Sequence, residues 1–235
     1  MKTNKTINVA VFPFKDLVLY PNASIPMYIF EPAYIKMIQD ALELDMPVAL
    51  GLGDPVIDSE GREIPNALTP KKVMGIGKPM VIENYDDGSM YILLQGMGKV
   101  TLNMVVQDIP YLIFEATPII EHTLDTHGFK NAPIERLRQL LSEWMECNVP
   151  DMNQRAAFFE KIKTVNHIID YISMFLIQDR DLKQIILETE NVADRIRLLD
   201  MLLLRDDEDE ITENRYYGDI LKRFEKLEKQ AVPIQ

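Results

Sequence analysis

Residues 7–44 read INVAVFPFKDLVLYPNASIPMYIFEPAYIKMIQDALEL, and the fold turns on this stretch. Val9–Phe12 and Leu17–Tyr20 are short apolar runs of strand type, and an extended, Pro-punctuated segment follows as far as Phe30. Pro32 then opens a helix: proline at the first helical position has its φ already set and lacks only an N–H with no intrahelical acceptor. From there Tyr34, Met37, Ile38, Ala41 and Leu42 recur at the three- and four-residue steps of one helical face. Such a face requires an apolar sheet beneath it.

Working outward, Pro47 leads into the apolar run Val48–Leu52. Asp54–Pro70, with Asp58, Ser59, Gly61, Pro65, Asn66 and Pro70, has the turn chemistry of a surface loop. From Val73 the pattern is β: a strand over Lys78–Tyr85, a hairpin turn at Asp86-Asp87-Gly88, and a return strand over Met90–Gln95. After a bend at Gly96-Met97-Gly98, Val100, Leu102, Met104 and Val106 alternate with more polar neighbours, a period of two that buries one face. Pro110 ends that strand, and Tyr111–Thr117 supplies the last. Several short strands with one early helix predict a small, partly closed barrel.

Beyond His122 the period becomes helical. Ile134, Leu137, Leu141 and Trp144 mark one helix from Pro133 to about Val149, and Phe158, Ile162, Val165, Ile169, Ile172 and Leu176 mark a second region over Gln154–Ile177. A short helix starts at Asp181. Asn191 caps another over VADRIRLLDMLLL, with Asp194 in its first turn. The acidic run Arg205–Glu210 reads as a solvated segment, and Tyr217, Leu221, Phe224 and Leu227 give a C-terminal helix.

The order VFPFKDLVLYP, then IPMYIFEP with Tyr34, then a helix resembles the opening of the N-terminal domain of Lon proteases. VMGIGKPMVIE, the Asp-Gly turn, LLQGMGKV and PYLIFEATPI follow in that domain's order. Gln184, Leu187, Glu188, Val192 and Arg195 are similar to its helical part. The resemblance covers most of residues 7–204. The family usually has Gly where Asn22 stands, and Asn tolerates the positive φ that such a glycine supplies; it often has Arg where Ala33 stands. The resemblance implies an α+β fold: a PUA-like β pseudobarrel subdomain at 1–122, a helical bundle at 123–205, and an acidic segment with a C-terminal helix at 206–235.

Composition narrows the chemistry. The formal charge of −12, from 25 Lys and Arg against 37 Asp and Glu, works against nucleic acid, because phosphate contacts depend on Lys and Arg. The single Cys147 suits a reducing compartment, and no apolar run has the length of a signal peptide or of a membrane span, so the chain reads as cytoplasmic. Gly75-Ile76-Gly77-Lys78 falls short of a phosphate-binding loop because Lys72 and Pro79 occupy the first glycine and hydroxyl positions. Gly96-Met97-Gly98-Lys99 falls short at Val100. Ser24, Ser59, Ser89 and Ser142 lie outside any Ser-Lys dyad motif. His122, His127 and Asp125 share a loop, His167 falls in a helix at the edge of the core, and no structural zinc set is spelled out.

No catalytic, cofactor or metal residue is therefore assigned, and the sequence does not single out binding residues. The 13 methionines suit an adaptable binding surface, although Met37 and Met104 fall in core register. The resemblance implies a non-catalytic domain that recognises unfolded or misfolded polypeptides, through apolar residues uncovered where barrel meets bundle, as an adaptor to a protease or chaperone. The C-terminal helix is a candidate for self-association. The alternative is a PUA-like RNA-binding protein.

Overall fold

The structure is a computed structural model that describes residues 5–121 and 132–203. His122, Asp125, His127 and the acidic segment and helix expected at 206–235 lie outside the described residues. Strands β1 (Ile7–Phe14), β2 (Ser24–Ile29), β3 (Val48–Ile57), β4 (Glu63–Pro70), β5 (Val73–Asn84), β6 (Met90–Gln107) and β7 (Leu112–Ile119) make one seven-stranded sheet. Helix α1 (Pro32–Glu43) lies between β2 and β3. Helices α2 (Ala132–Asn148), α3 (Met152–Glu160), α4 (Val165–Phe175), α5 (Arg180–Glu188) and α6 (Val192–Leu203) follow the sheet.

Five strands close into a ring: β1 pairs with β7, β7 with β6, β6 with β5 and β5 with β3, all antiparallel, and β3 returns to β1 in parallel. Strand β1 is apolar on both faces because both are covered. Val9 and Val11 point into the ring with Ala49, Met74, Ile76, Val100, Leu102 and Ala116. Ala10 and Phe12 point the other way, onto Met37, Ile38 and Ala41 of α1. The helix thus lies on the sheet through Tyr34, Met37, Ile38 and Ala41 of the face its spacing marked, while Leu42 is 43% exposed, and Tyr34 stacks on Phe12 at 4.0 Å between ring centroids.

The structure departs from several expectations. Leu17–Tyr20 forms no strand; it crosses the sheet so closely that a Cβ on Gly75 or Gly96 would overlap the carbonyl of Leu19 or Tyr20. Those two glycines are under the crossing chain, which accounts for the first glycine of each pair that resembled a phosphate loop. The loop expected at Asp54–Pro70 is a hairpin, β3 running on to Ile57 and pairing with β4. No break occurs at Gly96–Gly98: β6 continues, with Met97 as the extra residue of a bulge. A second register shift, between Leu102 and Met104, turns the alternation over, so Met104 is 61% exposed instead of core. Asn22 does not have a positive φ; Asp45, at φ 50, is the only non-Gly residue among the described residues that does.

The helical region expected over Gln154–Ile177 is two helices. Thr164 stands extended between them and its hydroxyl accepts from the His167 N–H, capping α4. Asp151 and Asp179 cap α3 and α5, and Asn191 accepts from Ala193 N–H at 2.8 Å at the start of α6, as its sequence position implied. Sheet and helices up to Leu199 belong to one compact unit, Met1–Leu199.

Candidate functional site

Beyond the Met97 bulge, the first half of β6 leaves the ring and lies between β2 and the second half of β5. Ile92 and Leu94 face α1, so Tyr91 and Leu93 face outward. Register then lines up rows across the three strands: Ser24–Gln95–Lys78, Pro26–Leu93–Met80 and Tyr28–Tyr91–Glu83. The β5 bulge adds Ile82 to the last row. These side chains are uncovered: Tyr28 is 52% exposed, Met80 49% and Phe30, just past β2, 64%. Tyr28 stacks with Phe30 at 6.0 Å and meets Tyr85 edge-on at 5.7 Å.

The hydroxyls of Tyr28 and Tyr85 are tied to acids. Tyr85 donates to Glu83 Oε2 at 3.0 Å, which pushes its phenol upward. Tyr28 hydroxyl lies 2.6 Å from Ser89 Oγ, which in turn donates to Asp87 Oδ1. β2 pairs only with β6 among the described strands, so no described strand pairs with its other edge, and Pro26 on that strand is where a sheet tolerates proline. The arrangement can bury apolar segments and offer a strand edge to an extended chain.

The seam between sheet and helices is of a different character. Lys99 of β6 is fully buried, with Nζ 2.7 Å from the Leu187 carbonyl and 3.1 Å from Glu121 Oε1. Arg195 of α6 places Nη2 3.0 Å from the same Glu121 oxygen, an ion pair without hydrogen-bond alignment, and Nη1 3.7 Å from Asp170 Oδ1. Asn22 donates to Asp170 Oδ2 from both its side chain, at 2.6 Å, and its backbone N–H. Tyr20 donates to the Lys183 carbonyl at 2.8 Å, and Gln184 to the Val73 carbonyl at 2.9 Å. A buried ionic network holds this junction, and of the apolar residues expected there Met97 stands 60% exposed beside it.

Burial governs the network's titration. It raises the Asp170 carboxyl to about 7, assisted by the charge of Glu121 and opposed by Arg195 and the Asn22 hydrogen bonds. It lowers the Lys99 ammonium, and it raises the Tyr20 phenol, with Asp170 adding to the rise. A depressed lysine is what a Ser-Lys dyad needs. Lys99, however, hydrogen-bonds to main-chain carbonyls, and the buried Ser173 hydroxyl donates to the Ile169 carbonyl at 2.7 Å. A cleft of about 280 Å³ opens beside the network, lined by Asn22, Met97, Ile119, Glu121, Thr164 and His167 among others.

His167 is half-buried, its Nδ1 2.6 Å from Thr164 Oγ1, and burial lowers its pKa. Cys147 is an exposed free thiol. Among the described residues no group of three or more His, Cys, Asp or Glu could hold a metal, and no helix is long and apolar enough to cross a membrane. Neither the outward rows nor the network was singled out from sequence. The rows needed cross-strand register. The network left a trace, since Asp170 and Arg195 interrupt the apolar faces of their helices.

Fold and surface together define an α+β domain in which a closed mixed barrel carries a helical C-terminal part and shows apolar and aromatic side chains on one outer face. Residues 8–205 match the substrate-binding domain of ATP-dependent protease La (LON), and the chain belongs to that family. It is similar to the Lon protease of Xanthomonas oryzae pv. oryzae, 21% identical over 230 residues that make up 96% of this chain and 26% of that one. It is also similar to the Lon protease of Chloroherpeton thalassium, 24% identical over 196 residues, 83% of this chain and 23% of that one. The chain therefore spans about a quarter of the length of these relatives.

Among solved structures, the Lon N-terminal domain protein from Xanthomonas campestris matches with a TM-score of 0.54 at 16% identity. The N-terminal domain of the Mycobacterium avium complex Lon protease matches with 0.58 at 15% identity. Each match covers 82% of this chain and 96% of the other. These likenesses agree with the expected pseudobarrel followed by helices.

Proposed function

We propose that this chain is a non-catalytic polypeptide-binding domain that holds unfolded or misfolded segments, as an adaptor in protein quality control within a reducing, cytoplasmic compartment. The observation that carries the reading is the uncovered outer face of β2, β6 and β5, where Pro26, Leu93, Met80, Tyr28 and Tyr91 stand in cross-strand register. A client segment laid on it buries apolar area at roughly 25 cal/mol per Å². In this reading the β-rich part, residues 1–122, makes the client contact and the helical part, residues 123–205, braces it. RNA fits the face poorly, because Glu83, Asp86 and Asp87 flank the tyrosines and the chain carries −12.

The test is a fluorescence-anisotropy titration of the chain with a permanently unfolded protein and with the native form of the same protein. Binding of the unfolded form alone is expected. Met80→Glu, a change at an exposed position, should weaken that binding about tenfold or more, the equivalent of ~1.4 kcal/mol. Equal binding of native and unfolded forms, or an unaffected Met80→Glu variant, would remove the basis for this assignment.

A further inference from the structure

The rows of the outer face differ in a way that selects among apolar clients. Of the outward positions on these three strand segments, only Lys78 is cationic, and it sits at the far row with its Nζ held 2.6 Å from Asp45. At the opposite end the rings of Tyr28, Phe30, Tyr85 and Tyr91 are exposed, and the charges beside them are acidic: Glu31 next to Phe30, Glu83 opposite Tyr91, and Asp86 and Asp87 in the turn. The Tyr85 phenol donates to Glu83, and the Tyr28 hydroxyl reaches Asp87 through Ser89. Phenols polarised by carboxylates present electron-rich ring faces, and a guanidinium or ammonium over such a face is attracted by its quadrupole.

We propose that this face prefers client segments in which an Arg or Lys stands two residues from a large apolar residue. The apolar side chain occupies the Pro26–Leu93–Met80 row, and the cation lies over the Tyr28, Tyr85 and Tyr91 rings against Glu83. The spacing follows from the strands: Leu93 and Tyr91 are two residues apart, roughly 6.7 Å along β6, and an extended client lying along them presents its own i and i+2 side chains at the same interval. Charge complementarity sets the sign, since the chain is strongly acidic and the strand positions at the aromatic end of the face include no cation among the described residues. The inference rests on the polypeptide-binding reading and adds the client class.

The test uses the full chain and four unstructured fluorescent peptides of equal length and apolar content, with Arg, Lys, Gln or Glu two residues from a single Leu. The Arg and Lys peptides should bind roughly five- to tenfold tighter than the Gln peptide, and the Glu peptide weakest. Glu83→Gln combined with Tyr91→Leu should bring the Arg peptide down to the affinity of the Gln peptide. Equal affinities for all four peptides would overturn the cation preference while leaving polypeptide binding standing. A preference that survives in the double variant would assign it to the overall acidity and overturn the site. Failure of every peptide to bind, with a change of oligomeric state in Met80→Glu, would show that a second copy covers the face and would sink both readings.

Discussion

Asp170 is the residue whose environment departs furthest from what its neighbours in sequence suggest. It sits among Ile168, Ile169 and Ile172, all buried, and takes two hydrogen bonds from Asn22 across the seam. Its carboxyl, ordinarily 3.8, is raised to about 7, chiefly by burial. A raised carboxyl holds its proton in the folded state after the unfolded chain has lost it. Its stabilising contribution is therefore complete below 3.8, declines as pH rises toward about 7, and is gone above that value. Asp170→Asn keeps an acceptor for Asn22 and removes the titration. The unfolding free energy of the natural chain minus that of Asp170→Asn should fall with pH between about 4 and about 7, with a limiting slope on the order of 1.4 kcal/mol per unit, and be level above. Urea titrations of both proteins at half-unit pH steps measure it, and a difference independent of pH would mean that Asp170 titrates normally. The sequence shows Asp170 only as a break in an apolar face, because the partners that make it tolerable there, Arg195 and an asparagine 148 residues away, are distant in the chain.

At the scale of elements, local chemistry was legible where one residue type dictates one geometry. Pro32 starts α1, the Asp-Gly turn at Gly88 has φ +85, and Asn191 caps α6. It misled where the same residues serve two purposes. The prolines and Gly61 of residues 54–70 mark a loop by composition, yet they belong to the β3–β4 hairpin, whose pairing extends to the sheet's outermost strand. Gly75, Gly77 and Gly96 of β5 and β6 likewise act through packing against Leu17–Tyr20, a segment apolar enough to resemble a strand but held by burial instead of a ladder. Gly96→Ala should therefore destabilise the chain by about 2–4 kcal/mol, since the added methyl meets the Tyr20 backbone and not a yielding side chain. Gly88→Ala, where nothing lies within reach of the new atom, should cost only the left-handed backbone conformation, about 1 kcal/mol. Chemical denaturation of the two variants checks the contrast; equal losses would mean that the Leu17–Tyr20 crossing is not tightly packed.

Over the whole molecule, sequence period separates a β half from a helical half, while the seam joins them into one unit. Its two cations and two carboxylates cancel in formal charge, so the −12 is carried elsewhere and the network acts as a clamp between β6, the end of β7, α4 and α6. A buried network of this kind is worth little over an apolar replacement, but removing one partner strands the others and costs about 3–5 kcal/mol. Arg195→Met would leave Glu121 ion-paired, among the described residues, with Lys99 alone and Asp170 with the Asn22 hydrogen bonds alone. If the seam couples the halves, that variant should lower the unfolding midpoint of both by the same amount, although only α6 is altered. Trp144, the single tryptophan, stacks on Phe175 at 4.6 Å and reports the helices by fluorescence; amide NMR intensities of Val9–Phe12 report the barrel. Coincident urea transitions in the natural chain and a joint shift in Arg195→Met are expected. A barrel transition that stays in place while the helical one moves would instead describe two independently stable halves, with the outer face of β2, β6 and β5 carried by a barrel that needs no brace.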